Sequence, residues 1–205
     1  MLMLVDYGKG NIFSLSQALR HIGQDFKVSN NPEEISKADY LILPGVGAFG
    51  DAARALKSRG LDQALKERVR QGCPLLGICV GCQLLLDVGE EFGVEQGLSL
   101  LSGSTRRLPE GNDAEAMRIP NVGWRITHSN HSIFQDLAEE IMLYFVHSYA
   151  PHPTHKKDVL AHIIFNNMEI PVAIGRDNIL GFQFHPEKSG SVGLEVLRRA
   201  LTRKI

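Results

Sequence analysis

A cysteine between two glycines has the setting best suited to nucleophilic chemistry. Gly77-Ile78-Cys79-Val80-Gly81 follows a short apolar run and resembles a nucleophile elbow, the strained turn from a strand into a helix. A helix N-terminus favours thiolate over thiol, and the N–H of Val80 is suited to hold an oxyanion. A buried cysteine in a tight turn fits the same residues, as does a redox C-x-x-C pair with Cys82. The glycines favour the catalytic interpretation, with Cys79 accessible at the surface.

A histidine and a glutamate follow an apolar run near the C-terminus. His185 and Glu187 are separated by Pro186, which ends strand pairing. In extended backbone, residues two apart project to the same side. Glu187 could then hold the Nδ1–H of His185, the pairing that turns a histidine into the base for a thiol. In isolation this is a surface turn with an incidental histidine, but beside a cysteine elbow it predicts a Cys79-His185-Glu187 triad.

A glycine-rich loop comes after an earlier apolar run. Gly45-Val46-Gly47-Ala48-Phe49-Gly50 fits the dinucleotide fingerprint G-x-G-x-x-G. The acidic residue expected about 20 positions later, at the end of a second strand, is absent, because that stretch has a helical pattern. In a parallel sheet this loop would lie beside the cysteine elbow. We therefore predict that Gly45, Val46 or Gly47 turns a backbone N–H toward the oxyanion.

Alternating strand and helix patterns must position these residues. Short apolar runs predict strands at 2–5, 26–28, 40–43 and 75–78. Helices are predicted from the cap Asn11 to 22, at 51–70 with a break at Gly60, from 83 to 89, and at 192–201. The second half predicts further strands at 141–146, 159–165, 172–174 and 179–184. This order indicates an α/β fold, with a mostly parallel sheet covered by helices on both faces and an antiparallel extension.

Composition excludes several classes of protein. The 205 residues fit one domain, 1–205, and the net charge of −1 lacks the basic excess of nucleic-acid and membrane binders. Three cysteines do not make a disulfide framework, and we find neither a signal peptide nor a membrane span, so a cytoplasmic protein is expected. The H-x-x-H pairs His128/His131 and His152/His155 are interpreted as loop histidines. No metal or cofactor is predicted.

Together these motifs give the chain a resemblance to class I glutamine amidotransferases. Within that family it is similar to the glutaminase subunits of imidazole glycerol phosphate synthases. The resemblance rests on six segments in order: Asp6-Tyr7-Gly8-Lys9-Gly10-Asn11, Leu43-Pro44-Gly45-Val46-Gly47-Ala48-Phe49, Gly77-Ile78-Cys79-Val80-Gly81-Cys82-Gln83-Leu84-Leu85, Ile119-Pro120-Asn121-Val122-Gly123-Trp124, Tyr144-Phe145-Val146-His147-Ser148-Tyr149 and Phe182-Gln183-Phe184-His185-Pro186-Glu187-Lys188-Ser189.

The resemblance implies a role for each matching position. Cys79 is the nucleophile, His185 the base and later the acid, and Glu187 its orienter. The glutamine pocket would be formed by these residues: Gln83, Glu91, Gly47, Ser148 and Tyr149. Trp124 and Lys188 fall where the family faces its synthase. The implied partner is a barrel-shaped cyclase in a heterodimer. It would use the ammonia to make imidazole glycerol phosphate and aminoimidazole carboxamide ribotide in histidine biosynthesis.

Two departures from the family pattern bear on the partner. The family generally has histidine at Asn121 and asparagine at Arg125, and both residues flank Trp124. We therefore expect Asn121 at the partner surface, and a paralogue serving another amidating enzyme, for example in surface-sugar synthesis, stays an alternative. A stand-alone cysteine hydrolase would work without a partner or a glutamine pocket. A non-catalytic regulatory subunit is disfavoured by the intact triad residues.

Overall fold

The computed structural model describes residues 1–111 and 117–202. In these ranges the strands are β1 (Leu2–Val5), β2 (Phe26–Ser29), β3 (Tyr40–Gly45), β4 (Leu75–Cys79), β5 (Val88–Gly89), β6 (Glu95–Gln96), β7 (Gly103–Arg107), β8 (Asn121–Ile126), β9 (Met142–His147), β10 (Tyr149–Pro153), β11 (Val159–Phe165), β12 (Met168–Arg176) and β13 (Ile179–Phe182). The α-helices are α1 (Ile12–His21), α2 (Pro32–Ile35), α3 (Phe49–Ser58), α4 (Leu61–Arg70), α5 (Val80–Gln83) and α6 (Gly190–Thr202).

A mixed sheet forms the centre of the fold. Its strand order within the described ranges is β11-β12-β13-β4-β3-β1-β2. The five strands from β13 to β2 pair in parallel, and β11 and β12 extend the sheet antiparallel. Because β2 and β3 lie on opposite sides of β1, right-handed crossovers place α1 and the later helices on opposite faces. The predicted α/β architecture, with its antiparallel extension, is confirmed.

Two of the parallel strands, β1 and β4, are buried along their whole length. This is the burial expected of strands that helices cover on both faces. Aromatic rings continue the core beyond β13, where Phe182 stacks on Phe184 with ring centroids 4.8 Å apart. Phe134 and Phe145 meet Phe184 edge-on. The segment that leads from β13 to His185 is therefore fixed by packing on both sides.

The helix predicted from 83 to 89 is wrong. The helical turns end at Gln83, and the leucines that follow lie in a non-helical segment. The carbonyl groups of Leu84 and Leu85 accept hydrogen bonds from Leu98 and Leu100, on a segment that returns beside them. These bonds take the place of helix bonds to those carbonyls.

Two smaller sheets were not predicted. One has the order β10-β7-β5-β6, and the other is the two-stranded ribbon β8-β9. His152 accordingly lies in β10 and not in a loop as expected. In the described part of the chain, no helix has the length and apolar character that crossing a membrane requires.

Candidate active site

Three neighbouring strands bring the predicted triad to one edge of the central sheet. Gly45 at the end of β3 is paired with Cys79 at the end of β4. Phe182, the last residue of β13, is paired with Ile78, so His185 follows at the same edge. The carboxyl ends of parallel strands are where α/β proteins place their ligands. A pocket of about 300 Å³ opens there.

The elbow at Cys79 has the strained geometry that its sequence predicts. Cys79 has φ 56° and ψ −115°, a conformation that L-residues rarely adopt, and α5 begins at the next residue. A Cβ on Gly77 would lie 2.5 Å from the carbonyl oxygen of Gly81. One on Gly45 would lie 2.6 Å from the Gly81 nitrogen. Only glycine lets these backbones approach so closely. Cys79 itself is only 5% exposed, so the expected surface position is wrong, although it still lines the pocket.

His185 lies between the cysteine and the glutamate. Its Nδ1 is 2.9 Å from Oε1 of Glu187, and its ring interacts electrostatically with the side chain of Cys79. Burial alone would lower the pKa of His185, but its interactions with the side chains of Cys79 and Glu187 raise its pKa to about 10. Cysteine, histidine and glutamate therefore have the order expected of a nucleophile, its base and the group that orients the base.

The extended backbone assumed for His185 and Glu187 is not observed. Pro186–Lys188 forms a 3-10 turn, and this turn brings Glu187 back to the ring of His185. Both side chains are nearly inaccessible, with 7% and 3% exposed. Ser189 supports the arrangement because its Oγ donates to the carbonyl of His185, 2.7 Å away, and accepts the N–H of Tyr144.

Most of the other predicted site residues surround the same pocket. Besides Cys79 and His185, the pocket is lined by the predicted residues Val46, Gly47, Val80, Gln83, Glu91, Ser148, Tyr149 and Lys188. Gly45 and Glu187 do not line it and lie close behind its wall. Trp124 lies outside this pocket and is 45% exposed.

Asn121 contradicts the expectation of a partner surface. It is fully buried, where its amide contacts the ring of His147 and accepts a hydrogen bond from Arg125. On β8, Val122, Trp124 and Ile126 are exposed, whereas Asn121 faces inward. A departure from the family at Asn121 therefore does not change the outer surface.

Two residues near Cys79 escaped the sequence analysis. Gln183 is fully buried, and its Nε2 lies 3.8 Å from the sulfur of Cys79 while its Oε1 accepts from Gln83. His147 lines the pocket. A polar residue between two phenylalanines on a buried strand was a signal for Gln183. No spacing in the sequence links His147 to the triad.

The surroundings of the other cysteines do not suggest redox chemistry or metal binding. All three cysteines are free, and Cys82 is fully buried against Gly181, where burial and the charge of Cys79 raise its pKa. Cys82 therefore fits packing better than redox chemistry. Within residues 1–111 and 117–202, no three His, Cys, Asp or Glu side chains are grouped as a metal site would require.

Comparison with known proteins identifies the family. The family described as glutamine amidotransferase class-I matches residues 3–203. The chain belongs to this family. Imidazole glycerol phosphate synthase subunit HisH of Geobacillus thermodenitrificans is 45% identical over 201 residues, covering 97% of this chain and 94% of that protein. The protein of the same name from Bacillus subtilis is 42% identical over 199 residues, with 96% and 93% covered.

Solved structures agree on the fold at lower identity. A crystal structure of a glutamine amidotransferase has a TM-score of 0.74 at 20% identity, covering 97% of this chain and 96% of that one. PurLQS from Thermotoga maritima gives 0.72 at 17% identity, with 98% and 96% covered.

Proposed function

We propose that this protein is the glutaminase subunit of an imidazole glycerol phosphate synthase. It would hydrolyse glutamine to glutamate and ammonia and pass the ammonia to a cyclase subunit. The observation that carries the proposal is the pocket that Cys79 and His185 both line, with His185 hydrogen-bonded to Glu187, in a chain of this family. The names of relatives that align over nearly their whole length support the synthase assignment.

The triad provides each proton transfer that the reaction needs. The thiolate of Cys79 attacks the amide carbon of glutamine, and a tetrahedral oxyanion forms. His185 donates its proton to the nitrogen, ammonia leaves, and a glutamyl thioester remains on Cys79. His185 then takes a proton from water, whose oxygen attacks the thioester and releases glutamate. Glu187 holds the imidazole in orientation throughout.

The oxyanion site is only partly formed. The N–H of Val80 is the first of α5, so it has no acceptor within the helix. The N–H of Val46, by contrast, donates to the carbonyl of Lys9, 2.9 Å away. We infer that binding of the synthase turns this peptide toward the pocket, where Gly47 with φ 88° leaves the loop free to move. A missing oxyanion donor costs about 3 kcal/mol, or roughly 10²-fold in rate.

Two polar side chains are suited to hold the amino-acid part of glutamine. The Nε2 of Gln83 donates to the carbonyl of Tyr149 and to Gln183, so Gln83 can serve a substrate only through Oε1. Oε2 of Glu91 accepts the N–H of Phe49, which leaves its other oxygen for the substrate ammonium. Both residues line the pocket. The charged groups of an amino-acid substrate need polar partners of this kind in the pocket, whereas the pocket of a general hydrolase does not need them.

The outer face of the β8-β9 ribbon is the surface proposed for the synthase. This docking face consists of the exposed or half-exposed residues Val122, Trp124, Ile126, Met142, Tyr144 and Val146. Trp124 contacts Tyr144 edge-on, and Nζ of Lys188 lies 6.0 Å from the centre of the Tyr144 ring. Val146 and Lys188 also line the pocket, so a partner here would cover its mouth. Contiguous apolar surface of this kind marks an interaction site.

Co-purification and a coupled assay test the proposed function. The chain is expressed with a histidine-pathway cyclase, and glutamine consumed is compared with imidazole glycerol phosphate formed. We expect a complex with a ratio near one, and weaker binding or a higher ratio for Trp124→Ala. Val28→Ala, an exposed apolar change on β2 at the far edge of the central sheet, should behave as wild type. If the wild-type chain does not bind the cyclase, or hydrolyses glutamine at the full rate without it, the assignment is wrong.

A further inference from the structure

His147 is a buried titratable group that the proposed mechanism does not use. It lines the pocket, yet only 5% of it is exposed. Its ring lies between the side-chain amide of Asn121 and the backbone carbonyl of Tyr149, each at 2.9 Å. A histidine with both ring nitrogens engaged is held in one orientation and one protonation state.

The hydrogen-bonding capacity of the neighbours decides which nitrogen carries the proton. Nε of Arg125 lies 2.8 Å from Oδ1 of Asn121, and a guanidinium can only donate. Oδ1 therefore faces Arg125, and the Nδ2 of Asn121 must donate to Nε2 of His147. The ring proton is left on Nδ1, where it donates to the carbonyl of Tyr149.

The charge state of His147 agrees with this assignment. Burial lowers its pKa, the bond to the Tyr149 carbonyl opposes that effect, and the positive charges of His185 and Arg125 reinforce it. The resulting pKa is about 4, so the ring is neutral at physiological pH. A neutral ring accepts one hydrogen bond and donates one, as the geometry requires.

The carbonyl that His147 holds belongs to the proposed glutamine pocket. The Tyr149 carbonyl also accepts from Nε2 of Gln83, 2.9 Å away, and the carbonyl of Ser148 accepts the N–H of Leu108. Both carbonyl oxygens of the Ser148-Tyr149 segment are thus held by the protein. The segment is therefore fixed in place, and its N–H groups and side chains remain available to contact a substrate.

We propose that Asn121, oriented by Arg125, is a positioning residue that fixes the tautomer of His147 and thereby the part of the pocket that binds glutamine. The proposal rests on the proposed function, because it assigns glutamine to this pocket. Asn121 acts through His147, the Tyr149 carbonyl and Gln83, and it touches neither glutamine nor Cys79. Arg125 follows Trp124 on β8, so the network also connects the docking face with the pocket.

The first experiment separates glutamine binding from the reactivity of the nucleophile. A chloroketone analogue of glutamine labels the purified chain, and iodoacetamide reports the intrinsic reactivity of Cys79. For Asn121→Ala we expect the analogue concentration for half-maximal labelling rate to rise about 10-fold, the equivalent of one lost hydrogen bond, with the iodoacetamide rate unchanged. Asn30→Ala, an exposed asparagine, is the matched control and should match wild type. General unfolding would instead expose the buried Cys73 and Cys82 to iodoacetamide.

The second experiment reads the tautomer directly by ¹⁵N NMR of the histidine rings, with His147 assigned through a His147→Gln variant. Wild type should carry the proton on Nδ1. In Asn121→Asp, which keeps the shape of the side chain, a carboxylate can only accept, so Nε2 should gain a proton. Nε2 protonation in wild type, or an unchanged half-maximal concentration in Asn121→Ala, would overturn the proposal. Failure of the analogue to label wild-type Cys79 would instead contradict the proposed function, since the NMR result needs no glutamine.

Discussion

Two glycine-rich turns lie side by side at the end of β3 and β4, and they differ in the space around them. At the elbow, a Cβ on Gly81 would overlap the carbonyl oxygen of Leu43. Around Gly47, in the neighbouring loop, an added Cβ would meet nothing within 4 Å. Val46 in that loop is 39% exposed, whereas Cys79 is 5% exposed.

The difference separates a fixed part of the site from a part that can turn. The elbow holds Cys79 in a strained conformation because the packed backbone around it leaves no alternative. The loop is held at Val46 by one backbone hydrogen bond, from the Val46 N–H to the carbonyl of Lys9. A turn of the peptide would break this bond and direct the N–H toward the pocket. The elbow therefore keeps Cys79 in one position, whereas the loop is the part of the site whose conformation a partner can change.

Gly81→Ala should have the largest effect, because it breaks the fixed turn. The new methyl group must displace the backbone of Leu43. We expect a loss of about 3 kcal/mol in the free energy of unfolding, measured in urea, together with loss of glutamine turnover. If the variant is as stable as wild type, the elbow is not rigidly packed.

Changes in the base should come next. His185→Asn removes the proton carrier and should lower turnover in the complex by about 10³-fold. Glu187→Gln keeps a hydrogen-bond partner for the ring but loses the charge, so we expect a smaller fall than in His185→Asn. Steady-state kinetics with the synthase bound supply both values. Wild-type rates in either variant would remove the triad from the mechanism.

The open loop allows a matched pair of variants with smaller effects. Gly47 and Gly23 both have positive φ, 88° and 72°, and both have open space for a Cβ. Alanine at either position should cost about 1 kcal/mol of stability through backbone strain. Only Gly47→Ala should also slow turnover of the complex, by roughly 10-fold, since it hinders the turn that supplies the oxyanion donor. Equal turnover in the two variants would mean that the loop does not move during activation.

The middle of the central sheet could be predicted because strands such as β1 and β4 are short, continuous apolar runs. The predicted runs 2–5 and 75–78 match β1 and β4 to within one residue. The second sheet has no such signal, since β7 is mostly polar and β5 has two residues. Its strands are specified by distant partners, and the pairing of β7 with β10 spans more than forty positions.

The candidate site shows the same division. The glycines around Cys79 and the spacing of His185 and Glu187 are local signals, and the structure brings these three residues together. The backbone at Pro186 forms a 3-10 turn where extended backbone was expected, but the side chains of His185 and Glu187 still lie in contact. The burial of Asn121 and its link to His147 depend on pairing between β8 and β9, which periodicity did not reveal.

Covalent labelling can show whether Cys79 is the nucleophile that attacks glutamine. The wild-type complex is treated with the chloroketone analogue of glutamine and mapped by mass spectrometry, and ammonia release is measured for Cys79→Ala. We expect one label, on Cys79, with Cys73 and Cys82 unmodified, and no glutamine turnover in the variant. A label on Cys82, or turnover that persists without the Cys79 thiol, would contradict this role for Cys79.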